Sequence, residues 1–413
     1  MHSFVSGLLG GALIGVAASV LLLFSGDILG ASGIVSSTLL SPLTVLRDPC
    51  QHWKLVLLAS FFLTAHLFFS SGQYQDKQDG LATLSWTAYL IGGFFVGFGT
   101  RLGNGCTSGH GICGLARFSK RSLAAVMTFM SVGIVTAYLT QATTSPFKTD
   151  VFGFLRTTSA GDDVPPEPIA MWTTAAAVVT MVLSVAAFVA PSFYQVAEVP
   201  ANCRTKLAPA LCGGVLFALG LYISQMVYPI RVFGFLNLGL LAKGEPNWDA
   251  TLMFVMGGGC AISFLSYQLV EGYNFLLSHN YIQPLNKPLA LSEGSNFCVP
   301  TNSIIDRELI VGAMSFGLGW GISGLCPGPA MFLAAIGVSW VLVCYWPAYL
   351  VGAYLASLVK EYKLLSSCCS SRPSEEAAAA PTACDTGADK HNEHSNSSHL
   401  EKTAPFDLED INV

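Results

Sequence analysis

Residues Gly92 to Gly114 read Gly-Gly-Phe-Phe-Val-Gly-Phe-Gly-Thr-Arg-Leu-Gly-Asn-Gly-Cys-Thr-Ser-Gly-His-Gly-Ile-Cys-Gly. An apolar segment passes here into a glycine-rich loop that carries two thiols, an imidazole, an amide and two hydroxyls. Glycines at this density let backbone N–H groups approach a ligand closely. We therefore predict that the loop is a binding site and that the rest of the chain supports it.

The spacing of this stretch returns near the end of the chain. Four residues recur with a displacement of 220 positions: Gly92, Gly97, Gly99 and Cys106 correspond to Gly312, Gly317, Gly319 and Cys326. Any single glycine could serve only close helix packing, but a repeated set argues against that interpretation. Two copies of one spacing indicate a duplicated protein.

The composition places the chain in lipid. Of its 413 residues, 52% are hydrophobic and 11% are charged, whereas ordinary soluble domains have about 25% charged residues. Apolar runs long enough to span a bilayer recur, which predicts an all-α, multi-span integral membrane protein. Short alternating strands typical of a β-barrel are missing from the sequence. The net charge of −5 is small and lies largely in the tail, so we predict the bilayer, and no nucleic acid, as a partner.

Four apolar segments are interrupted by glycine, proline or small polar residues, at 26–34, 103–114, 224–236 and 324–329. Irregular backbone at membrane depth is tolerated only inside protein or along a cavity. Paired interruptions in two halves indicate a transport site near the midplane, where half-helix N-termini attract anions. We therefore expect the four breaks to lie close together.

Composition also sets the predicted boundaries. Residues 1–196 are predicted as the first membrane repeat, 197–206 as a linker, 207–363 as the second repeat with a polar insertion at 271–308, and 364–413 as a disordered hydrophilic tail. The tail has hardly any aromatic residue and cannot bury enough apolar surface to fold.

The twelve cysteines show no close-set framework of a secreted disulfide scaffold. Cys106 and Cys326 are equivalent across the repeat, which favours a functional role over that of buried small hydrophobes. Cys113 has no counterpart. His110 could join Cys106 and Cys113 around a metal, but Zn²⁺ wants four ligands and this spacing is no standard pairing. We predict neither a metal nor a cofactor.

Two motifs closely resemble the signatures of the YeeE/YedE sulfur-transport family: Gly97-Phe-Gly-Thr-Arg-Leu-Gly-Asn-Gly-Cys-Thr-Ser-Gly-His-Gly-Ile-Cys-Gly-Leu-Ala-Arg and Gly319-Trp-Gly-Ile-Ser-Gly-Leu-Cys-Pro-Gly-Pro. The stretch from Met226 to Leu236 is similar to that family as well, and the resemblance covers about Gly7 to Leu358. It implies an hourglass fold of about nine transmembrane helices plus four short re-entrant half-helices in two inverted, pseudo-symmetric repeats.

Members of this family take up thiosulfate, so the resemblance implies a narrow central path in which cysteines hand the ion along. By motif, these cysteines are Cys106 and Cys326. Bacterial members have a third cysteine in the first break, where this chain has Ala31 and Ser32, and we expect Ser32 to donate a hydrogen bond in its place. The scheme is physically sensible because a neutral S–H is a weak donor, and weak successive sites let an ion leave again.

We therefore predict a membrane permease that takes up thiosulfate or a related sulfur-containing anion, without catalytic residues. The expected location is the plasma membrane, with organelle membranes and protein partners left open. The alternatives are a sulfurtransferase-type membrane enzyme that forms a persulfide at Cys106, a transporter of a selenium species, and a structural or sensory membrane protein. The predicted path residues are Cys106, Cys326, Gly105, Thr107, Ser108, His110, Asn104, Cys113, Pro327, Gly328 and Ser32.

Overall fold

The computed structural model describes residues 3–70, 84–140, 201–238, 248–273, 283–292 and 295–370. The predicted span at 171–189, most of the first repeat beyond 140 and the predicted tail beyond 370 lie outside these residues. Within them the chain is helical, and its one β feature is an isolated bridge between Val270 and Leu285. The predicted all-α class is confirmed for the described part of the chain.

Besides a 3₁₀ turn at Pro49–Gln51, the described residues of the first half form six α-helices and two π-helical segments. They are α1 (Ser3–Val20), which continues as a π-helical turn (Leu21–Ser25), α2 (Ala31–Leu40), α3 (Pro42–Arg47), α4 (His52–Ser70), α5 (Trp86–Leu102), the motif π-helix (Thr107–Gly114) and α6 (Lys120–Thr140). The stretch from Gly92 to Gly114 thus forms the second part of α5, a short turn, and the whole of the motif π-helix.

The second half has a similar order of elements. They are α7 (Ala201–Thr205), α8 (Leu207–Ile223), α9 (Pro229–Leu236), α10 (Thr251–Gln268), α11 (Arg307–Ser323), α12 (Pro327–Ala335), a π-helical turn (Val341–Tyr345) and α13 (Trp346–Ser370). The bounds of α11 and α12 follow those of α5 and the motif π-helix at an offset close to the 220 positions seen in the sequence.

Among the residues that the structure describes, five helical stretches are long and apolar enough to cross a membrane: Phe4–Ser25, Lys120–Thr140, Asn202–Ile223, Thr251–Gln268 and Val341–Lys363. A sixth is formed if α11 and α12, which meet at a bend of 42°, count as one span. These stretches make the chain a multi-pass membrane protein.

Short helices begin at all four predicted breaks, namely α2, the motif π-helix, α9 and α12. Two of the breaks need glycine, because Gly26 and Gly324 end their helices with φ of 74° and 65°, which other residues rarely adopt. Pro229 and Pro327 begin the helices after the third and fourth breaks, a position where the missing proline N–H costs nothing.

Glycines let α1 pack closely on α10, as the spacing of Gly7, Gly11 and Gly15 predicts. A Cβ at Gly11 would lie 2.3 Å from the carbonyl oxygen of Val255. Along α1, successive glycines meet Thr251, Val255 and Gly259 of α10 in the same order. The two helices therefore run parallel.

Helix α5, which precedes the motif π-helix, lies between α11 and α13. Gly92 meets Ser323 while Gly99 meets Phe316, so α5 and α11 run antiparallel. On the other side, Gly93 meets Tyr345 and Gly97 meets Tyr349, so α5 and α13 run parallel. Contacts of backbone with backbone on both sides fix the position of α5 and of the motif that follows it.

A disulfide joins Cys50, just before α4, to Cys203 in α7, with Cα atoms 4.6 Å apart. The sequence did not predict this bond, because 153 positions separate the two cysteines. Close by, Lys206 pairs with Asp27 at 2.8 Å. Burial raises the pKa of Asp27, although the nearby Lys206 cation opposes that shift. These contacts fasten the end of α1 to the start of the second half.

The described part of the polar insertion packs over the end of α1. The Leu289 N–H donates to Leu23 O at 2.8 Å, and the Cys298 N–H donates to Gly26 O at 2.8 Å. The insertion then reaches Asp306, which caps α11 by accepting from the Leu309 N–H at 2.7 Å. A segment without a counterpart in the first half therefore covers one end of the first break.

Candidate functional site

A cavity of about 50 Å³ lies where the short helices begin. Among the described residues that line it, two thiols and two hydroxyls are polar, those of Cys106, Cys326, Thr107 and Ser108, and no side chain is charged. The remaining lining residues are apolar residues or glycines from both halves of the chain. One water needs roughly 10–15 Å³ measured this way, so the cavity has room for a ligand of a few heavy atoms.

The motif π-helix places a hydroxyl beside each thiol. Thr107 Oγ1 donates to Cys326 Sγ at 3.5 Å, which links the two halves across the cavity. Ser108 Oγ lies 3.3 Å from Cys106 Sγ, and it also accepts a hydrogen bond from the Ala31 N–H at 3.2 Å. The first break, the motif and the last break thus meet through three short polar contacts.

Helix N-termini from both halves reach the cavity. Ala31 and Thr107 are the first residues of α2 and of the motif π-helix, and Gly328 is in the first turn of α12; all three line the cavity. The first N–H groups of a helix have no partner within it and carry partial positive charge. The cavity is therefore suited to an anion, although no cationic side chain lines it.

His110 stabilises the loop and does not line the cavity. Its Nε2 lies 3.1 Å from Gly103 O, and its Nδ1 lies 3.1 Å from Ser122 Oγ. A neutral imidazole has one donor and one acceptor nitrogen, so Nε2–H donates to the carbonyl and Nδ1 accepts from the hydroxyl. The ring fills the space where a Cβ at Gly105 would lie, 2.7 Å away. Neither His110 nor Gly105 lines the cavity.

Three other predicted path residues also lie elsewhere. Asn104 is at the exposed end of α5, where its Oδ1 accepts from Lys360 Nζ at 2.7 Å. Cys113 is buried with its sulfur 3.9 Å from Leu29 O. Ser32 is buried, yet its neighbour Ala31 lines the cavity in its place. Five of the predicted residues line the cavity together: Cys106, Thr107, Ser108, Cys326 and Gly328. Pro327 lies between two of them in the chain.

Sequence reasoning missed most of the cavity wall. Met226, Val232 and Trp320 line it, but in a chain this apolar such residues cannot be told from core or lipid-facing residues. The Ala31 N–H is a backbone donor, so the type of residue at this position does not reveal it. Only the positions of the breaks pointed to this part of the wall.

The basic residues after the motif anchor the polar insertion. Arg121 Nη1 donates to Asp306 Oδ2 at 2.9 Å and to the carbonyl of Ile304, while Arg117 Nη1 donates to the carbonyl of Pro300. Burial alone would raise the pKa of Asp306, but hydrogen bonds from Arg121 and the Leu309 N–H outweigh it and lower that pKa. The carboxylate stays charged at neutral pH.

Among the residues described, no group of three or more His, Cys, Asp or Glu side chains is placed to hold a metal ion. The combination of Cys106, His110 and Cys113 considered above is not assembled, because both nitrogens of His110 are engaged elsewhere.

Two family models match the chain, one in each half. The family described as Sulphur transport matches residues 1–136, and a family of unknown function (DUF6691) matches residues 205–365. A probable transporter of Xylella fastidiosa (strain 9a5c) is 35% identical over 165 residues, which are 40% of this chain and 95% of the relative. A probable transporter of Xylella fastidiosa (strain Temecula1 / ATCC 700964) is 39% identical over 138 residues, which are 33% of this chain and 80% of the relative. Each of these relatives is shorter than half of this chain.

Proposed function

We propose that this chain, which belongs to the YeeE/YedE-type sulfur-transport family, takes up thiosulfate through the cavity between its two halves. The coarser statement, a multi-pass membrane transporter, follows from the family and from relatives that are probable transporters. One observation carries the finer proposal: Cys106 and Cys326 line one cavity, and Thr107 of the first half donates to the sulfur of the second.

Thiosulfate is a dianion with one soft terminal sulfur, and the cavity offers weak donors to it. Helix N-termini supply partial positive charge and N–H groups, while the thiols supply polarisable sulfur. A lysine or arginine at this point would hold the ion too firmly. Transport needs sites weak enough for the ion to leave, which the uncharged lining provides.

The hydroxyl groups of Ser108 and Thr107 influence where the hydrogens of the neighbouring thiols point. Ser108 already accepts from the Ala31 N–H, so its own hydrogen is available for Cys106 Sγ, and Thr107 donates to Cys326 Sγ. If Ser108 donates to Cys106 Sγ, as Thr107 donates to Cys326 Sγ, each sulfur accepts from a hydroxyl and keeps its S–H for the cavity. The neutral thiols can donate to an anion in turn, whereas thiolates would repel it.

This arrangement argues against the sulfurtransferase alternative. Attack on a sulfane sulfur requires loss of the Cys106 thiol proton, and none of the described side chains that line the cavity is a base that could take it. His110, the imidazole of the motif, is engaged at both ring nitrogens.

We also propose that the chain has nine spans in two inverted repeats, 1–196 and 207–363, joined by the linker 197–206. The spans would be the six above, α4, α5 and the segment at 171–189. Equivalent helices run antiparallel in an inverted pair. In support, α5 is antiparallel to its equivalent α11, and Gly10 and Leu21 of α1 meet Gly220 and Gly213 of α8 in reverse order.

The inverted arrangement predicts that equivalent positions face opposite sides of the membrane. Ser119 and Ser339 are 220 positions apart, each is half-buried, and each lies just before a long helix. In single variants Ser119→Cys and Ser339→Cys, a membrane-impermeant thiol reagent should label one from outside sealed vesicles and the other only from inside. The unsubstituted chain reports labelling of the native cysteines. Labelling of both variants from the same side would contradict the inversion.

The substrate is tested by uptake of radiolabelled thiosulfate into liposomes that contain the purified protein. We expect uptake above that of empty liposomes, strong competition by unlabelled thiosulfate, and weak competition by sulfate, which lacks the soft sulfur. Strong competition by a selenium-containing anion would assign the transporter to that substrate instead. Uptake equal to that of empty liposomes would overturn the proposal.

A further inference from the structure

We infer that a second binding station for a small anion lies beside the cavity, formed by Cys113, Ser263, Tyr267 and Arg117. The identity of the anion rests on the function proposed above, while the position of the station rests on the contacts that follow. The station would lie between the cavity and the end of α10, on one side of the cavity only.

One face of α10 runs along the motif π-helix. Met256, Cys260, Ser263 and Tyr267 are spaced so that they share a helix face. Met256 lines the cavity and its Cε fills the space beside Gly111. Further along α10, Gly259 packs on Ile112 of the motif π-helix, and the ring of Phe264 lies 5.7 Å from that of Phe118. Ser263 and Tyr267 therefore lie on the part of α10 that packs against residues 112–118.

Three buried polar atoms in this region have no partner among the described residues: Ser263 Oγ, Tyr267 OH and Arg117 Nε. Ser263 is 2% exposed and Tyr267 is 1% exposed. Buried polar side-chain atoms are nearly always hydrogen-bonded in folded proteins. Two buried hydroxyls without partners, on the part of α10 that packs against residues 112–118, thus point to a ligand.

The chemistry of these groups suits an anion. Each hydroxyl can donate one hydrogen bond, and the Nε–H of Arg117 is free to donate. Cys113 contributes its polarisable sulfur, since its S–H donates to Leu29 O. Arg117 is next in the chain to Phe118, whose ring packs edge-on against Phe264, the neighbour of Ser263. The station therefore carries the positive charge that the cavity lacks, and would attract the ion at its side of the path.

The station is the next step along the path from the cavity. Ser263 and Tyr267 follow Met256 by seven and eleven residues, or about 10 and 16 Å along a helix that rises 1.5 Å per residue. Cys113 lies on the motif π-helix, whose N-cap residue Cys106 lines the cavity. The equivalents of Cys113 and Arg117 in the second half are Leu333 and Gly337, so the other side lacks such a station.

The test is the pair Tyr267→Phe and Ser263→Ala, which remove only the two hydroxyls. If those hydroxyls had a purely structural role, their loss would cost no hydrogen bond and the protein would be equally or more stable. If they bind the ion, the double variant should need about tenfold more thiosulfate for half-maximal uptake, as expected for lost hydrogen bonds to an ion. Tyr354→Phe with Ser131→Ala, at two exposed positions, is the matched control.

A second measurement separates this inference from the proposed function. Thiosulfate or sulfate added to the purified protein in detergent should raise the melting temperature of the unsubstituted chain and of the control. The rise should be smaller in the double variant. An equal rise and equal uptake would overturn the station while the transport proposal stands. If the unsubstituted chain transports no thiosulfate, the proposed function fails, and the melting comparison still decides the station.

Discussion

Replacing Cys106 or Cys326 with alanine is expected to reduce thiosulfate uptake to the level of empty liposomes while the protein stays folded. Both thiols line the cavity, and in the proposed arrangement each keeps its S–H for the ion while a neighbouring hydroxyl donates to its sulfur. Because the path is narrow, loss of either donor removes a step that the ion cannot bypass. Truncation of one sulfur beside an existing cavity removes little packing, about 1 kcal/mol.

The matched control is Cys344→Ala, which removes the same atoms from a buried thiol that does not line the cavity. Initial uptake rates and melting temperatures are measured for all three variants side by side. We expect Cys344→Ala to transport like the unsubstituted chain. Normal uptake by both Cys106→Ala and Cys326→Ala would contradict the cysteine-lined path.

Serine variants separate the two properties of the thiols. Cys106→Ser keeps a small donor but replaces the polarisable sulfur with oxygen. Partial uptake by Cys106→Ser would indicate that donation to the ion is the main requirement. Complete loss would indicate that contact between soft sulfur atoms is needed as well.

The sequence predicted the breaks well because their causes are local. A run of apolar residues ends where glycine or proline ends it, and Gly324 followed by Pro327 illustrates both effects within four positions. The repeat offset of 220 then assigned equivalent elements in the two halves. These features depend on backbone conformation, which residue type reports directly.

Residue type alone could not predict which side chains reach the cavity. Asn104, Cys106 and His110 belong to one motif, yet only Cys106 lines the cavity. The chain reverses within this loop, with Asn104 at φ of 58° and the π-helix beginning at Thr107. Side-chain direction therefore changes from residue to residue, and it depends on contacts with Ser122 and Lys360, which come from other helices.

A second large effect is expected at Gly97, on α5. A Cβ at Gly97 would lie 2.0 Å from the carbonyl oxygen of Tyr349, which is backbone of α13 and cannot turn aside. Gly97→Ala therefore requires α5 and α13 to separate. The shift would also disturb the Tyr349 hydroxyl, which lies 3.0 Å from Ser36 Oγ and 3.3 Å from Thr100 Oγ1.

We expect Gly97→Ala to destabilise the protein by about 3 kcal/mol, the upper end of the usual cost of overpacking, and to leave little folded protein in detergent. Gly257→Ala on α10 is the control, since a Cβ there meets no heavy atom within 4 Å. Alanine is a better helix former than glycine by about 1 kcal/mol, so this control should melt at the same temperature or higher. Both variants are compared by thermal unfolding in the same detergent. Equal melting temperatures for Gly97→Ala and Gly257→Ala would show that α5 and α13 can separate freely, and that the motif is not held in place by this contact.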